Sequence, residues 1–221
     1  MFNLSNIMSN LPIYLMRIPV ILLALTVHET AHGYMAYKLG DPTAKSMGRL
    51  SLNPLKHLDP FGTLMMLLVG FGWAQPVPID ARYFKKPKRD MALTALAGPA
   101  SNIILAFIGL LLYRVLYAVF VAANIGGTIA SVILLFFNVF YILNLSFAVF
   151  NLLPIPPLDG SRAFLIFLPD KYYFGIMRYE RYIMLALMLA MITGILDTPL
   201  SALINLILRA MNAIISLIPF I

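Results

Sequence analysis

The chain has no cysteine in 221 residues, and it has few charged residues. Without cysteine, disulfides are excluded and any metal site must be built from histidine and carboxylate. Charged residues make up 11% of the chain, against about 25% in soluble domains. Hydrophobic residues take their place, at 61%, and the mean hydropathy is +0.89. Because this excess runs along the whole length, the composition predicts a polytopic membrane protein.

No polar stretch is long enough to form a soluble domain, and the first residues lack the pattern of a cleaved signal peptide. The net charge of +7 comes from basic residues in short loops beside apolar spans. Such residues set membrane topology and contact anionic lipid headgroups, so we expect membrane lipids as partners and no nucleic acid.

The apolar stretches predict an all-α protein with about five to six membrane segments. A crossing helix needs about 20 apolar residues, and four stretches meet or approach that length: Leu11–Leu39, Met91–Ala122, Thr128–Leu153 and Tyr182–Leu196. A fifth, Leu200–Phe220, is interrupted by polar residues and could span the membrane or lie in the interface. Phe61–Phe71 is too short to cross, at about 11 residues, and fits a re-entrant segment.

Basic residues flank this short segment on both sides, which predicts that both flanks face the cytoplasm. They are Lys38, Lys45, Arg49 and Lys56 before it, and Arg82, Lys85, Lys86, Lys88 and Arg89 after it. Near it, residues 48–52 alternate apolar and polar side chains and predict a short strand or hairpin at the cytoplasmic side, with Val77–Asp80 as a partner. We expect a single membrane-embedded domain over residues 1–221, with a core at about 11–170 and peripheral helices at about 180–220.

Three ionisable residues interrupt the first apolar stretch: His28, Glu29 and His32. Each ionisable side chain inside a membrane costs about 2.5–3.5 kcal/mol on insertion scales, so it needs a compensating partner. On a helix, His28 and His32 share one face, and Glu29 is offset by about 100°. This is the His-Glu-x-x-His pattern of helical zinc sites, in which the histidines bind the metal and the glutamate serves as a general base.

A catalytic zinc ion needs a third protein ligand, and Asp159 stands out among nine acidic residues. It lies in the segment NLLPIPPLDGSR, Asn151 to Arg162, where prolines and a glycine end a long apolar helix. A carboxylate on such a break can turn into the helix bundle. Equally, Asp159 could cap the next helix in an ordinary membrane-exit turn. The residues alone leave both interpretations open.

The two motifs together resemble the site-2 protease family of intramembrane zinc metalloproteases. The resemblance rests on His28–His32 and on Asn151–Pro154 with Leu158–Gly160. It implies one zinc ion bound by His28, His32 and Asp159, with Glu29 as the catalytic base. This chain resembles the short, minimal branch of the family, which lacks PDZ and CBS domains.

The resemblance also suggests positions near the substrate. Asn151 and Asn144 lie on the later long helix, and Asn102 lies in a Gly-Pro-x-x-Asn stretch beginning at Gly98. Helix–helix hydrogen bonding is an equally good interpretation of the three asparagines. His57 is a further candidate for substrate binding or an extra ligand, although a loop histidine more often makes ordinary hydrogen bonds.

The implied function is that of an intramembrane zinc metalloendopeptidase. Its partner would be a membrane-spanning protein or peptide substrate, and it would lie in the cell membrane as a multi-pass protein with its active site toward the cytoplasmic side. A membrane transporter for a metal ion or protons is the alternative, because it too would use intramembrane His, Glu and Asp. A catalytically silent scaffold is a third interpretation, and the presence of Glu29 disfavours it. The sequence leaves the substrate and the oligomeric state open.

Overall fold

The computed structural model describes residues 4–62 and 75–218. Its main helices are α1 (Leu4–Lys38), α2 (Thr43–Ser46), α3 (Pro87–Ala122), α4 (Thr128–Asn151), α5 (Asp159–Phe164), α6 (Asp170–Arg178), α7 (Glu180–Ile192) and α8 (Asp197–Ile215). Short 3₁₀ turns lie at Pro54–Lys56, Ala81–Tyr83 and Leu165–Phe167. The predicted all-α class is confirmed over the described residues.

Among the described residues, three helices are long and apolar enough to cross a membrane: α3, α4 and α8. The predicted total of five to six membrane segments is not confirmed by this finding. The predicted span at 182–196 is shorter than expected, because α7 has 13 residues and ends at Ile192. Gly194 then adopts a φ of +72°, a left-handed conformation that a helix cannot continue through. The predicted re-entrant segment, Phe61–Phe71, lies almost wholly outside the described residues.

The long helix α3 is the centre of the packing, because it contacts α1, α4 and α5. One buried apolar cluster joins α3, α4 and α8 through Ala106, Leu110, Tyr141, Leu145, Val149, Met211 and Ile215. Helix α8 thus contributes the buried side chains of Met211 and Ile215 to this core. Large apolar side chains also point outward, as Ile129 does with 78% exposure, in keeping with a surface that faces lipid.

The strand or hairpin expected at residues 48–52 and 77–80 is not confirmed. Both segments lack strand pairing, and side chains replace the hydrogen bonds of a ladder. The Arg49 guanidinium donates to the backbone oxygens of Gln75 and Pro76, and Val77 N–H donates to Glu29. Alternation predicted a ladder here, but it could not show that charged side chains would occupy the backbone groups.

Residues 77–80 are also held at their C-terminal end, where Asp41 and Asp80 lie. Asp80 N–H donates to the Oδ2 atom of the buried Asp41. The Arg82 guanidinium, hydrogen-bonded to Asp80, lowers the pKa of that carboxyl to about 2. Asp80 is therefore ionised at neutral pH, and the backbone of residues 75–80 is held at both ends.

Replacing Gly109 by alanine should loosen the contact between α3 and α4. A Cβ atom at Gly109 would lie 2.5 Å from Cδ1 of Phe140, whose ring is itself buried. Crowding of this kind costs about 1–3 kcal/mol, so Gly109→Ala should lower the melting temperature in detergent. Gly126→Ala is the matched control, since nothing lies within 4 Å of a Cβ there. Equal melting temperatures for the two variants would contradict the packing described.

Candidate metal centre

Helix α1 carries two buried histidines into the bundle. His28 and His32 are each 6% exposed, and their Nε2 atoms lie 3.0 Å apart. They come close because residues four apart on a helix occupy the same face. The His-Glu-x-x-His pattern therefore gives the local geometry that the sequence predicted.

Asp159 completes a cluster with these two histidines. Its Oδ2 atom lies 3.0 Å from Nε2 of His28 and 3.3 Å from Nε2 of His32. It is the first residue of α5 rather than the N-cap, which is Leu158, and no side-chain hydrogen bond caps the helix. Gly160 allows α5 to lie close to the preceding turn, because a Cβ there would be 2.5 Å from the Leu153 carbonyl oxygen. The irregular segment between α4 and α5 thus turns the Asp159 carboxylate toward α1.

The outer nitrogens of both rings are held by acceptors on α3. The Nδ1 atom of His28 lies 2.6 Å from Asn102 Oδ1, and that of His32 lies 2.7 Å from the Thr94 carbonyl oxygen. An oxygen acceptor requires a proton on Nδ1, so the neutral rings direct the Nε2 lone pairs inward. Two lone pairs and a carboxylate oxygen thus converge, and such an arrangement is suited to holding a cation between them.

The spacing of the three ligand atoms fits zinc. Tetrahedral zinc with bonds of about 2.0–2.1 Å holds its ligand atoms about 3.3 Å apart, and the observed separations are 3.0 to 3.3 Å. Gly98 leaves this space open, because a Cβ atom there would lie 2.6 Å from Nε2 of His28 and would clash with the His32 ring. Among the described residues, His28, His32 and Asp159 form a group whose ligand atoms lie close enough together to hold a metal ion.

Glu29 lies beside the cluster without belonging to it. One of its oxygens, Oε2, accepts a hydrogen bond of 2.9 Å from Val77 N–H. Glu29 also lines a cavity of about 140 Å³ together with His32, Asp159 and Arg162. A half-buried carboxylate that faces open space beside the ligands is placed to exchange a proton with a reacting group there.

A second cavity, of about 590 Å³, also has Glu29 in its wall. Its walls come from α1, α4, α7 and α8 and are mostly apolar. His28, Glu29 and Asn151 line it, and Glu29 and Pro157 line both cavities. The candidate centre therefore borders two cavities, a small one with several charged residues in its wall and a large one that is mostly apolar.

The remaining predicted site residues make the following contacts, and their binding of substrate stays a prediction. Asn102 and Asn144 are fully buried, and Asn102 Nδ2 donates to Asn144 Oδ1 over 3.0 Å. Asn151 Nδ2 donates to the Phe147 carbonyl oxygen, and Asn151 lines the large cavity. His57 is fully buried away from the cluster, with its Nε2 atom 2.7 Å from the Ser51 carbonyl oxygen.

Sequence reasoning missed four groups that shape the centre: Thr94, Gly98, Arg162 and the backbone of Val77. A usable signal existed for two of them. Thr94 and Gly98 precede Asn102 by eight and four residues, so the three lie on one face of α3. No local pattern marks the Val77 contact, because it joins residues 48 positions apart.

Comparison with known proteins identifies the class. The model of peptidase family M50 matches residues 16–196, which is most of the chain. The chain therefore belongs to peptidase family M50, the site-2 protease family, whose members are membrane proteins. The resemblance seen in the two motifs is confirmed.

Among the relatives is YwhC of Bacillus subtilis (strain 168), a candidate zinc metalloprotease. It is 50% identical over 142 residues, which cover 64% of this chain and 64% of YwhC. Rip2 of Mycolicibacterium smegmatis, also a candidate zinc metalloprotease, is 34% identical over 150 residues, covering 64% of this chain and 53% of Rip2. The chain thus spans less than two thirds of the length of these relatives. No solved structure gives a significant match.

Replacing Gly98 by alanine should weaken zinc binding strongly. The added methyl group would occupy the space between the two Nε2 atoms, so we expect zinc affinity to fall about 100-fold or more. Zinc content after purification and competition with a chelator would measure this. Gly109→Ala is the control, because it crowds α3 against Phe140 and not against the histidines. Normal zinc content in Gly98→Ala would show that the metal does not lie among these three side chains.

Proposed function

We propose that this chain is an intramembrane zinc metalloendopeptidase that cleaves membrane-spanning proteins or peptides. The observation that carries the proposal is the convergence of His28 Nε2, His32 Nε2 and Asp159 Oδ2 within hydrogen-bond distance, with Glu29 beside them. Family membership and the names of the relatives support the same chemistry. Nothing in the described residues favours the transporter alternative.

In this proposal His28, His32 and Asp159 hold the zinc ion. When bound, zinc polarises the scissile carbonyl group and makes water a better nucleophile. Glu29 accepts the proton of the attacking water and returns it to the leaving amine. The hydrogen bond from Val77 N–H fixes one oxygen of Glu29 and leaves the other for this transfer.

The two cavities suggest how the reactants reach the centre. The large apolar cavity suits the side chains of a membrane segment, and a segment bound there would lie beside His28 and Glu29, which line its wall. The small cavity, with Glu29, Asp159 and Arg162 in its wall, suits water. A substrate must enter in an extended form, because the carbonyl groups of a helix are already hydrogen-bonded.

We further propose a single membrane-embedded domain, with its catalytic core at about 11–170. Helices α1, α3, α4 and α8 would cross the membrane, while α7 and the segment 61–71 would enter it only in part, giving five to six segments. The N-terminus would lie outside and the centre toward the cytoplasmic side of the cell membrane. The basic residues that flank segment 61–71 support this orientation.

The direct test is Glu29→Gln. This change removes the base but no zinc ligand, so we expect normal zinc content and a rate of cleavage lower by about 100- to 10,000-fold. Purified protein in lipid vesicles with a membrane-spanning peptide would provide the assay. Glu180→Gln is the matched control, since Glu180 is the one other glutamate in the chain and lines neither cavity. Full activity in Glu29→Gln would rule Glu29 out as the base.

Filling the large cavity tests where the substrate binds. Ser201→Phe places a ring in the wall formed by α8, so cleavage of a membrane-spanning peptide should fall about tenfold or more in kcat/KM, with unchanged zinc content. Ser216→Phe, at the C-cap of the same helix, is the control. Both serines are exposed and donate to the carbonyl oxygen three residues earlier, but Ser216 lies outside the cavity. Equal activity in the two variants would remove the cavity from the proposal.

A further inference from the structure

A line of three polar side chains crosses the bundle from α4 to α1. It starts at Asn144, whose Nδ2 atom donates to the Phe140 carbonyl oxygen over 2.9 Å. The amide of Asn144 is thereby oriented, and its Oδ1 atom faces Asn102. Both asparagines have no exposed surface, so water does not satisfy their polar atoms.

Asn102 is oriented in turn by the groups that receive its protons. Its Nδ2 atom donates to Asn144 Oδ1 over 3.0 Å and to the Ala24 carbonyl oxygen over 3.3 Å. Both protons of the amide are then used, so the Oδ1 atom must point the other way. There it lies 2.6 Å from Nδ1 of His28. The direction of every hydrogen bond in the line follows from the Phe140 carbonyl, which can only accept.

We infer that Asn102 and Asn144 are positioning residues that set the tautomer of His28 and thereby tune its affinity for zinc. The line keeps the proton of the neutral ring on Nδ1 and the lone pair of Nε2 directed at Asp159 and His32. An amide suits position 102 because it offers an acceptor to α1 and two donors elsewhere. This inference rests on the proposed zinc site, and it adds a role for two residues that touch neither ligand cavity.

Ordinary helix–helix hydrogen bonding predicts a different outcome from the same structure. In that case, removing either asparagine would lower the stability of the metal-free protein and leave its zinc affinity unchanged. Positioning of His28 predicts a change in zinc affinity larger than the change in stability. Outer hydrogen-bond partners of metal-binding histidines typically change affinity 10- to 100-fold when removed.

The experiment measures zinc affinity by chelator competition and the melting temperature of the metal-free protein. Asn102→Leu should weaken zinc binding about 10- to 100-fold, and Asn144→Leu should weaken it less. The double variant should bind zinc no more weakly than Asn102→Leu, because Asn144 acts through Asn102. Asn138→Leu is the control, since it removes a similar amide on α4 that bonds only to the Tyr141 hydroxyl among the contacts found.

A conservative variant separates the acceptor from the donors. Asn102→Asp keeps an oxygen for His28 Nδ1–H but cannot donate to Asn144 or Ala24, so its zinc affinity should stay above that of Asn102→Leu despite lower stability. If Asn102→Leu does not fold, zinc binding that is weaker in Asn144→Leu than in Asn138→Leu still supports the inference, and equal binding in those two variants overturns it.

Additive effects in the double variant, or wild-type zinc affinity in Asn102→Leu, would overturn the inference while leaving the zinc site intact. Absence of zinc from the wild-type protein would instead overturn the proposed function, and the inference with it.

Discussion

The structure depends on one electrostatic constraint: three electron-rich atoms face each other inside an apolar bundle. His28 Nε2, His32 Nε2 and Asp159 Oδ2 lie 3.0 to 3.3 Å apart, and acceptors behind both rings keep their protons on the far side. Repulsion between such atoms is poorly screened in a medium of low dielectric constant. A cation resolves it, so the centre and the fold around it become mutually dependent.

Helix α3 meets this constraint although it supplies no zinc ligand. Thr94, Gly98 and Asn102 follow each other at intervals of four and therefore form one stripe along the helix. The outer two hold the histidine rings, and the glycine between them leaves room for the ion. A protein in which one helix fixes both rings can bring its third ligand from a distant segment, as the proposed zinc site does with Asp159.

Sequence reasoning succeeded where the relevant spacing is local. His28 and His32 are one helical turn apart, and the long apolar runs became α3, α4 and α8. Asp159 lies 131 residues from His28, so its partner could not be read from any local pattern and was inferred from family likeness. The expected hairpin was not confirmed because Arg49 and Glu29 bond the backbone of residues 75–77. Contacts of that kind depend on the tertiary fold.

Glu29 lines two unlike cavities, and in the proposed function this would address the main difficulty of hydrolysis in a membrane. A peptide segment from the bilayer is apolar, whereas the reaction consumes water and moves protons. The apolar cavity is walled by α1, α4, α7 and α8, and the small one carries the charged groups of Glu29, Asp159 and Arg162. In the proposed function, Glu29 would act as the base and would reach the substrate in one cavity and water in the other.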